Sequence, residues 1–158
     1  MPQFPIVFTL NTLVAGNGFF ARIVSKGRAL VSHDDEGGYW VDGVTPPAIA
    51  DGSAEGQSEA LHAFRNRYTL VLFDIAHEAD DFENFDKRVR EFFYAEDTRA
   101  SMAWSKLREE VRAGRVLVDE LPKVHDEFPP EVRVSRIEPM PSQNTLETPK
   151  PYEFAEAA

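Results

Sequence analysis

The chain has 158 residues, of which 42% are hydrophobic and 28% are charged, and its formal net charge at neutral pH is −10. These values are typical of a globular protein with one domain and a sizeable core. The absence of cysteine excludes disulfides, thiol catalysis and thiolate metal sites. Because an acidic surface repels phosphate and attracts cations, we expect a basic protein partner and no direct binding to nucleic acid.

The sequence contains no candidate membrane span. None of its apolar runs approaches the roughly 18 residues that a span needs. The N-terminus lacks a basic region followed by a cleavable apolar stretch, and no Walker or dinucleotide fingerprint occurs. We therefore expect a cytoplasmic protein that makes no membrane contact and binds no cofactor.

Residues 4–44 follow a β pattern that predicts a meander of four strands. Apolar and polar residues alternate in the first strand, and Asn17-Gly18, both of which tolerate positive φ, predict a hairpin after it. A second strand is predicted at 19–24, a turn at 25–27, a third strand at 28–33 and a fourth at 39–44. The residues between the last two strands, 34–38, are rich in turn formers.

The next segment predicts the entry into a helix. Pro46-Pro47 ends the strand pattern because neither residue donates to a ladder. Residues 48–50 predict a short edge strand, and residues 51–53 predict a turn. A helix then begins near residue 56, and either Ser53 or Ser58 is the candidate cap.

Residues 57–93 carry a stripe of large apolar side chains at steps of three and four, which predicts helix with one buried face. Its members are Leu61, Phe64, Tyr68, Val71, Ile75, Phe82, Phe85, Val89 and Phe92. Glu78 interrupts the stripe, and Asp80 and Glu83 have the spacing of a capping box. We therefore predict two helices, at about 56–78 and 81–94.

A third helix is predicted at 98–113. Met102, Ala103, Leu107 and Val111 would face inward, and Gly114 would end the helix. Alternation over residues 131–137 predicts one more strand. The fold class is therefore α+β, an antiparallel β-meander sheet covered on one face by two or three helices.

The remaining residues predict a tail. Residues 1–139 would form one domain, whereas residues 140–158 are rich in proline and poor in apolar side chains. We expect no packed structure in residues 140–158, and we expect the domain to fold without them.

Three short motifs resemble those of the HicB-like antitoxin family, which has a partial ribonuclease H-like fold. They are Gly-Arg-Ala-Leu-Val-Ser-His-Asp-Asp-Glu-Gly-Gly-Tyr-Trp-Val at 27–41, Pro-Pro-Ala-Ile-Ala-Asp-Gly at 46–52 and Glu-Ala-Leu at 59–61. The resemblance covers roughly residues 28–72. It implies two strands around an acidic turn, a short third strand, a helix and a later fourth strand, which residues 131–137 would supply.

The chain also departs from that family's pattern. Two extra strands precede the motifs, the turn before the helix is longer, and a helical hairpin at 81–114 is added. No C-terminal ribbon-helix-helix or helix-turn-helix segment is visible. The resemblance implies a non-catalytic antitoxin that masks a small basic ribonuclease toxin.

One acidic segment is the candidate partner-binding site. Between Arg67 and Lys87 the chain has no basic residue other than histidine but contains six acids: Asp74, Glu78, Asp80, Asp81, Glu83 and Asp86. Such a run is often only a solvated helix face. In a protein that masks a basic toxin, the same run predicts the surface that meets the toxin.

Two other functions stay open. An acidic immunity or adaptor protein of another inhibitor system would have the same charge. A metal-dependent nuclease or phosphatase would need convergent carboxylates, and Asp34, Asp35 and Asp42 are the candidates, although turn formation also explains them. No motif of an enzyme is present, so we expect no catalytic residues and no metal.

Two aromatic residues lie off the helical stripe. Phe73 and Phe93 would be explained by a second packing surface, and homodimerisation is the simplest such surface.

Overall fold

The computed structural model describes residues 3–114 and 129–138. In chain order the elements are β1 (Gln3–Ala15), β2 (Phe20–His33), β3 (Tyr39–Thr45), β4 (Ala50–Ser53), α1 (Gln57–Glu78), α2 (Phe82–Phe93), α3 (Thr98–Arg112) and β5 (Glu131–Ile137). The predicted α+β class and its antiparallel sheet are confirmed. The predicted tail at 140–158 lies outside the described residues.

Strand β2 is the centre of the sheet. One of its edges pairs with β1 along its whole length, from Gln3↔Ser32 to Ala15↔Phe20. Two strands share its other edge. β5 pairs with residues 20–26 and β3 with residues 28–33, and β4 then pairs with β3. The predicted strand at 131–137 is thus confirmed, next to the first half of β2.

The turn predicted at residues 25–27 is wrong, because β2 is one continuous strand. Ser25 is fully buried, and its hydroxyl lies 2.7 Å from the Tyr68 hydroxyl. A side chain on Gly27 would collide with the Phe8 ring and the Thr45 carbonyl oxygen. Glycine is therefore needed here for close approach inside the sheet, not for a change of direction.

The hairpin predicted at Asn17-Gly18 is confirmed. Gly16 N–H donates to the Phe19 carbonyl oxygen at 2.9 Å, and Gly18 has φ +78°. Asn17 Nδ2 also donates to the carbonyl oxygens of His77 and Ala79, at 3.2 and 2.9 Å. The turn of the hairpin thereby holds the C-terminal end of α1.

The break between two helices is confirmed near Glu78, but the predicted caps are wrong. Asp81, not Asp80, caps α2, since its carboxylate accepts from Asn84 N–H at 2.8 Å. The N-cap of α1 is Gly56, without a side-chain cap. Ser53 instead ends β4, which runs through the residues predicted as a turn. Pairing with β3 outweighs the turn preference of these residues.

Helices α1 and α2 cover the inner face of the sheet. Every residue of the predicted stripe is buried or packs against the core. On α1 the fully buried positions are Ala60, Phe64, Tyr68, Leu72 and Ala76, so the centre of the face is rotated toward Leu72. Phe64 lies edge-on to Phe8 with ring centroids 5.1 Å apart. Phe93, predicted off the stripe, is fully buried in this core.

Helix α3 packs against the opposite face of the sheet. Trp104 is buried against Leu30 and Val44, and its indole N–H donates to the Ile6 carbonyl oxygen at 3.1 Å. Side chains alternate across a strand, so Leu30 lies on the face opposite that of Val31 in the main core. Met102, predicted to face inward, is 68% exposed, whereas the predicted stop at Gly114 has φ +75° and is confirmed.

No helix in the described part of the chain is long and apolar enough to cross a membrane.

Phe64→Ala should reduce the free energy of unfolding by about 3–5 kcal/mol, because it opens a cavity in the centre of the inner core. Phe73→Ala is the matched control on the same helix, since Phe73 is 43% exposed, and it should cost less than about 1.5 kcal/mol. Urea unfolding followed by circular dichroism measures both. Equal losses would show that the helix packs on the sheet in a different register.

The buried Tyr68 hydroxyl should make stability depend on pH in the alkaline range. Burial raises the pKa of Tyr68 to about 12, and the hydrogen bond with Ser25 offsets part of this rise. The folded state therefore keeps the proton after the unfolded chain has lost it. The contribution of Tyr68 is fully present below its unfolded pKa near 10 and is lost as pH rises toward 12.

Comparison of Tyr68→Phe with the wild type isolates this contribution. The wild-type free energy of unfolding should fall by about 2–3 kcal/mol more than that of the variant between pH 9 and 12. Tyr94→Phe is the control: it changes an exposed tyrosine and loses the hydrogen bond from Val132 N–H to its hydroxyl, so stability can shift at every pH but the pH profile should run parallel to that of the wild type. Parallel pH profiles for all three proteins would contradict the burial argument.

Candidate functional site

The outward face of α1 carries two large apolar side chains. Leu70 is 56% exposed and Phe73 is 43% exposed. Residues three and four apart are neighbours on a helix, so this pair continues into Asp74, His77 and Glu78, which are also exposed. The inner face of the same helix is occupied by the sheet, and the outer face is left for solvent or a partner.

The six predicted acids lie on both sides of the connection between α1 and α2 and within it. Two lie at the end of α1, two in the connection, and two at the start of α2: Asp74, Glu78, Asp80, Asp81, Glu83 and Asp86. All are exposed except Asp86, which is partly buried. We call these six residues, together with Leu70 and Phe73, the α1–α2 surface.

Three of the acids have structural roles. Asp81 caps α2, Asp86 pairs with Arg90 at 2.7 Å, and Glu78 lies 3.7 Å from Arg88. The side chains of the other three, Asp74, Asp80 and Glu83, make no hydrogen bond or ion pair with any described residue. Those three are the charges that a partner would meet.

Two of the three carboxylates weighed as a nuclease site, Asp34 and Asp42, have other partners. Asp34 Oδ1 accepts from the backbone N–H of Glu36 and Gly38, at 3.0 and 2.7 Å, which is the bonding of a turn former. Asp42 Oδ1 accepts from the Trp40 indole at 3.0 Å. Within residues 3–114 and 129–138, no three histidine or acidic side chains are grouped to hold a metal ion.

A pocket of about 330 Å³ lies between the sheet and the connection from α2 to α3. Its walls come from Arg28 on β2, the end of β3, residues 94–98, the first two turns of α3 and Pro130. These segments are far apart in the chain, and no local pattern in the sequence indicates that they meet. The sequence reasoning therefore missed this pocket.

Arg28 is the cation among the residues that line this pocket, which we call the Arg28 pocket. Its Nε and Nη2 donate to Thr45 Oγ1 at 3.3 and 3.0 Å, and Nη2 also lies 3.4 Å from Ser101 Oγ. The guanidinium carbon is 5.1 Å from the centre of the Trp104 ring. Burial, and then the nearby Arg108 cation, lower the pKa of Arg28 from its ordinary value, although it stays charged at neutral pH.

Asp81→Ala should destabilise the protein by about 1 kcal/mol, because it removes the carboxylate that satisfies Asn84 N–H at the start of α2. Asp80→Ala is the adjacent control with the same change of charge and no lost cap, and it should cost less than about 0.5 kcal/mol. Urea unfolding compares the two. A larger loss for Asp80→Ala would show that α2 begins one residue earlier.

Comparison with known proteins finds no similar one: no protein-family model, no curated protein and no solved structure matches this chain.

Proposed function

We propose that this chain is a non-catalytic antitoxin of the HicB-like kind, which binds and neutralises a small basic ribonuclease toxin through the α1–α2 surface. The observation that carries the proposal is the position of two exposed apolar side chains, Leu70 and Phe73, beside the unpaired acid Asp74 on the same helix. The protein acts in the cytoplasm, where such a toxin would meet its RNA substrates.

The apolar pair supplies the anchor of this interface. Protein interfaces have an apolar, aromatic-rich centre and a polar rim. Phe73 provides an aromatic side chain on a rigid helix, and Leu70 extends it by one turn. Asp74 follows Phe73 directly and lies one turn on from Leu70, and it begins the acidic part of the rim. A partner that covers the anchor must therefore come close to Asp74.

Charge selects the kind of partner. The unpaired acids Asp74, Asp80 and Glu83 would face one another or their equivalents if two copies met through this surface, and like charges disfavour that contact. A basic protein instead gains attraction during the encounter. The α1–α2 surface thus favours a basic partner over a second copy, and any homodimer would use another surface.

The choice of an antitoxin rests on the family resemblance of residues 28–72. The order of elements in that region, strand, acidic turn, strand, short strand and helix, agrees with the order that the resemblance implies. An immunity or adaptor protein would use the same surface for a different basic partner. A short reading frame that encodes a basic protein beside this gene favours the antitoxin, and its absence contradicts it.

Neutralising the three unpaired acids tests the role of charge. Asp74→Asn, Asp80→Asn and Glu83→Gln together remove three charges while leaving the cap at Asp81 and both ion pairs intact. Association with the neighbouring basic protein should become roughly tenfold slower at low salt and less dependent on salt. Stopped-flow fluorescence at several salt concentrations measures both effects.

A matched variant controls for net charge. Asp35→Asn, Glu55→Gln and Glu109→Gln also remove three exposed charges, but from the β2–β3 turn, the loop before α1 and the helix α3. This variant should associate nearly as fast as the wild type. If the two variants slow association equally, only net charge matters and the α1–α2 surface is not the interface.

A further inference from the structure

Arg28 is a cation in the wall of the Arg28 pocket, and it has no anionic partner among the described residues. Arg28 is partly buried, and its contacts are two hydroxyls and the Trp104 ring. Its Nη1 makes no hydrogen bond with a described residue. A second guanidinium, that of Arg108, lies 5.5 Å from the centre of the same ring. The partly desolvated charge of Arg28 would be stabilised by an anion.

The rim of the pocket has the opposite charge. Glu96 and Asp97 line it, and both are exposed. Neither carboxylate lies within ion-pairing distance, 4.0 Å, of the Arg28 nitrogens. Asp97 also caps α3, where it accepts from Ala100 N–H at 3.0 Å. A doubly charged phosphate would be repelled by these carboxylates, whereas an ammonium group would be attracted.

The rest of the wall combines the hydroxyl-bearing residues Thr45, Thr98 and Ser101 with apolar side chains. Val44, Tyr94, Ala95, Met102 and Pro130 contribute to it. At about 330 Å³, the pocket is at the lower end of the range for sites that bind small molecules. The pocket therefore combines a cation in its wall, acids at its rim and several apolar side chains.

We propose that the Arg28 pocket binds a small zwitterion, a free α-amino acid with an apolar side chain. The ligand's carboxylate binds the Nη1 side of Arg28, its ammonium group faces Glu96 and Asp97, and its side chain packs on Val44 and Met102. The site is separate from the α1–α2 surface and does not depend on the function proposed for that surface.

Titration of the ¹⁵N-labelled full chain with L-leucine tests this proposal. The chain has two tryptophans, and each gives one indole N–H signal in an NMR spectrum. Trp104 lies beneath Arg28, whereas the Trp40 indole is bonded to Asp42 on another part of the sheet. L-Leucine should shift the Trp104 signal in a saturable way and leave the Trp40 signal in place.

Two analogues of leucine separate its charged groups. 4-Methylpentanoate lacks the amine and 3-methylbutylamine lacks the carboxylate, and each should bind at least roughly fivefold more weakly than leucine. Inorganic phosphate should bind more weakly still. Equal binding of leucine and 4-methylpentanoate, or tighter binding of phosphate, would overturn the proposal.

Two variants test which side chains of the protein bind the ligand's carboxylate and its ammonium group. Arg28→Gln should weaken leucine binding by about tenfold or more, while Arg22→Gln, an exposed arginine on the same strand, should have no effect. Glu96→Gln changes an exposed side chain and leaves the fold intact, so it tests the proposal even if Arg28→Gln fails to fold. In Glu96→Gln, which keeps Asp97, the affinity for leucine should fall at least roughly twofold while that for 4-methylpentanoate should not fall. Unchanged leucine binding in Glu96→Gln, or no saturable Trp104 shift in the wild type, would overturn the proposal.

Discussion

The packing around Gly27 determines how the sheet is built. The Phe8 ring and the Thr45 carbonyl oxygen both occupy space that a side chain at this position would need. At the same point the strand that pairs with the second edge of β2 changes. β5 pairs with the residues before Gly27, and β3 pairs with the residues after it. Since Phe8 packs edge-on against Phe64, this close approach also sets the distance of α1 from the sheet. The outer surface of α1 and the wall of the Arg28 pocket are both supported by this arrangement.

Much of the fold follows from local sequence patterns. Apolar spacing predicts α1 and α2, and Asn17-Gly18 predicts the first hairpin, because each signal lies within a few residues. The turn expected at Ser25 fails because the reason for the serine is not local. Its hydroxyl is satisfied by Tyr68, forty-three residues later in the chain. The turn predicted to include Gly27 is wrong for the same reason, because the neighbours of Gly27, Phe8 and Thr45, lie on other strands.

The candidate sites also contain features that local sequence patterns predict and features that they do not. The acidic run is visible in the sequence because its members are consecutive, but only the structure separates Asp81, which caps a helix, from Asp80, whose side chain is unpaired. The exposure of Leu70 depends on which face of α1 meets the sheet. The apolar stripe in the sequence predicts the direction of that face only to within a fraction of a helical turn. The pocket around Arg28 joins segments whose proximity no spacing rule describes.

The pairing of β5 with β2 has a consequence for the order in which the chain is made. Each residue of β5 meets a partner more than a hundred residues earlier in the sequence, whereas β1, β3 and β4 lie close to β2 along the chain. On the ribosome, residues 20–26 therefore leave the exit tunnel long before the strand that covers their second edge. Until β5 arrives, the nascent chain presents a row of unpaired backbone N–H and C=O groups there. Non-local pairing of this kind slows folding, so this edge of β2 stays open to association with another strand while the chain is being made.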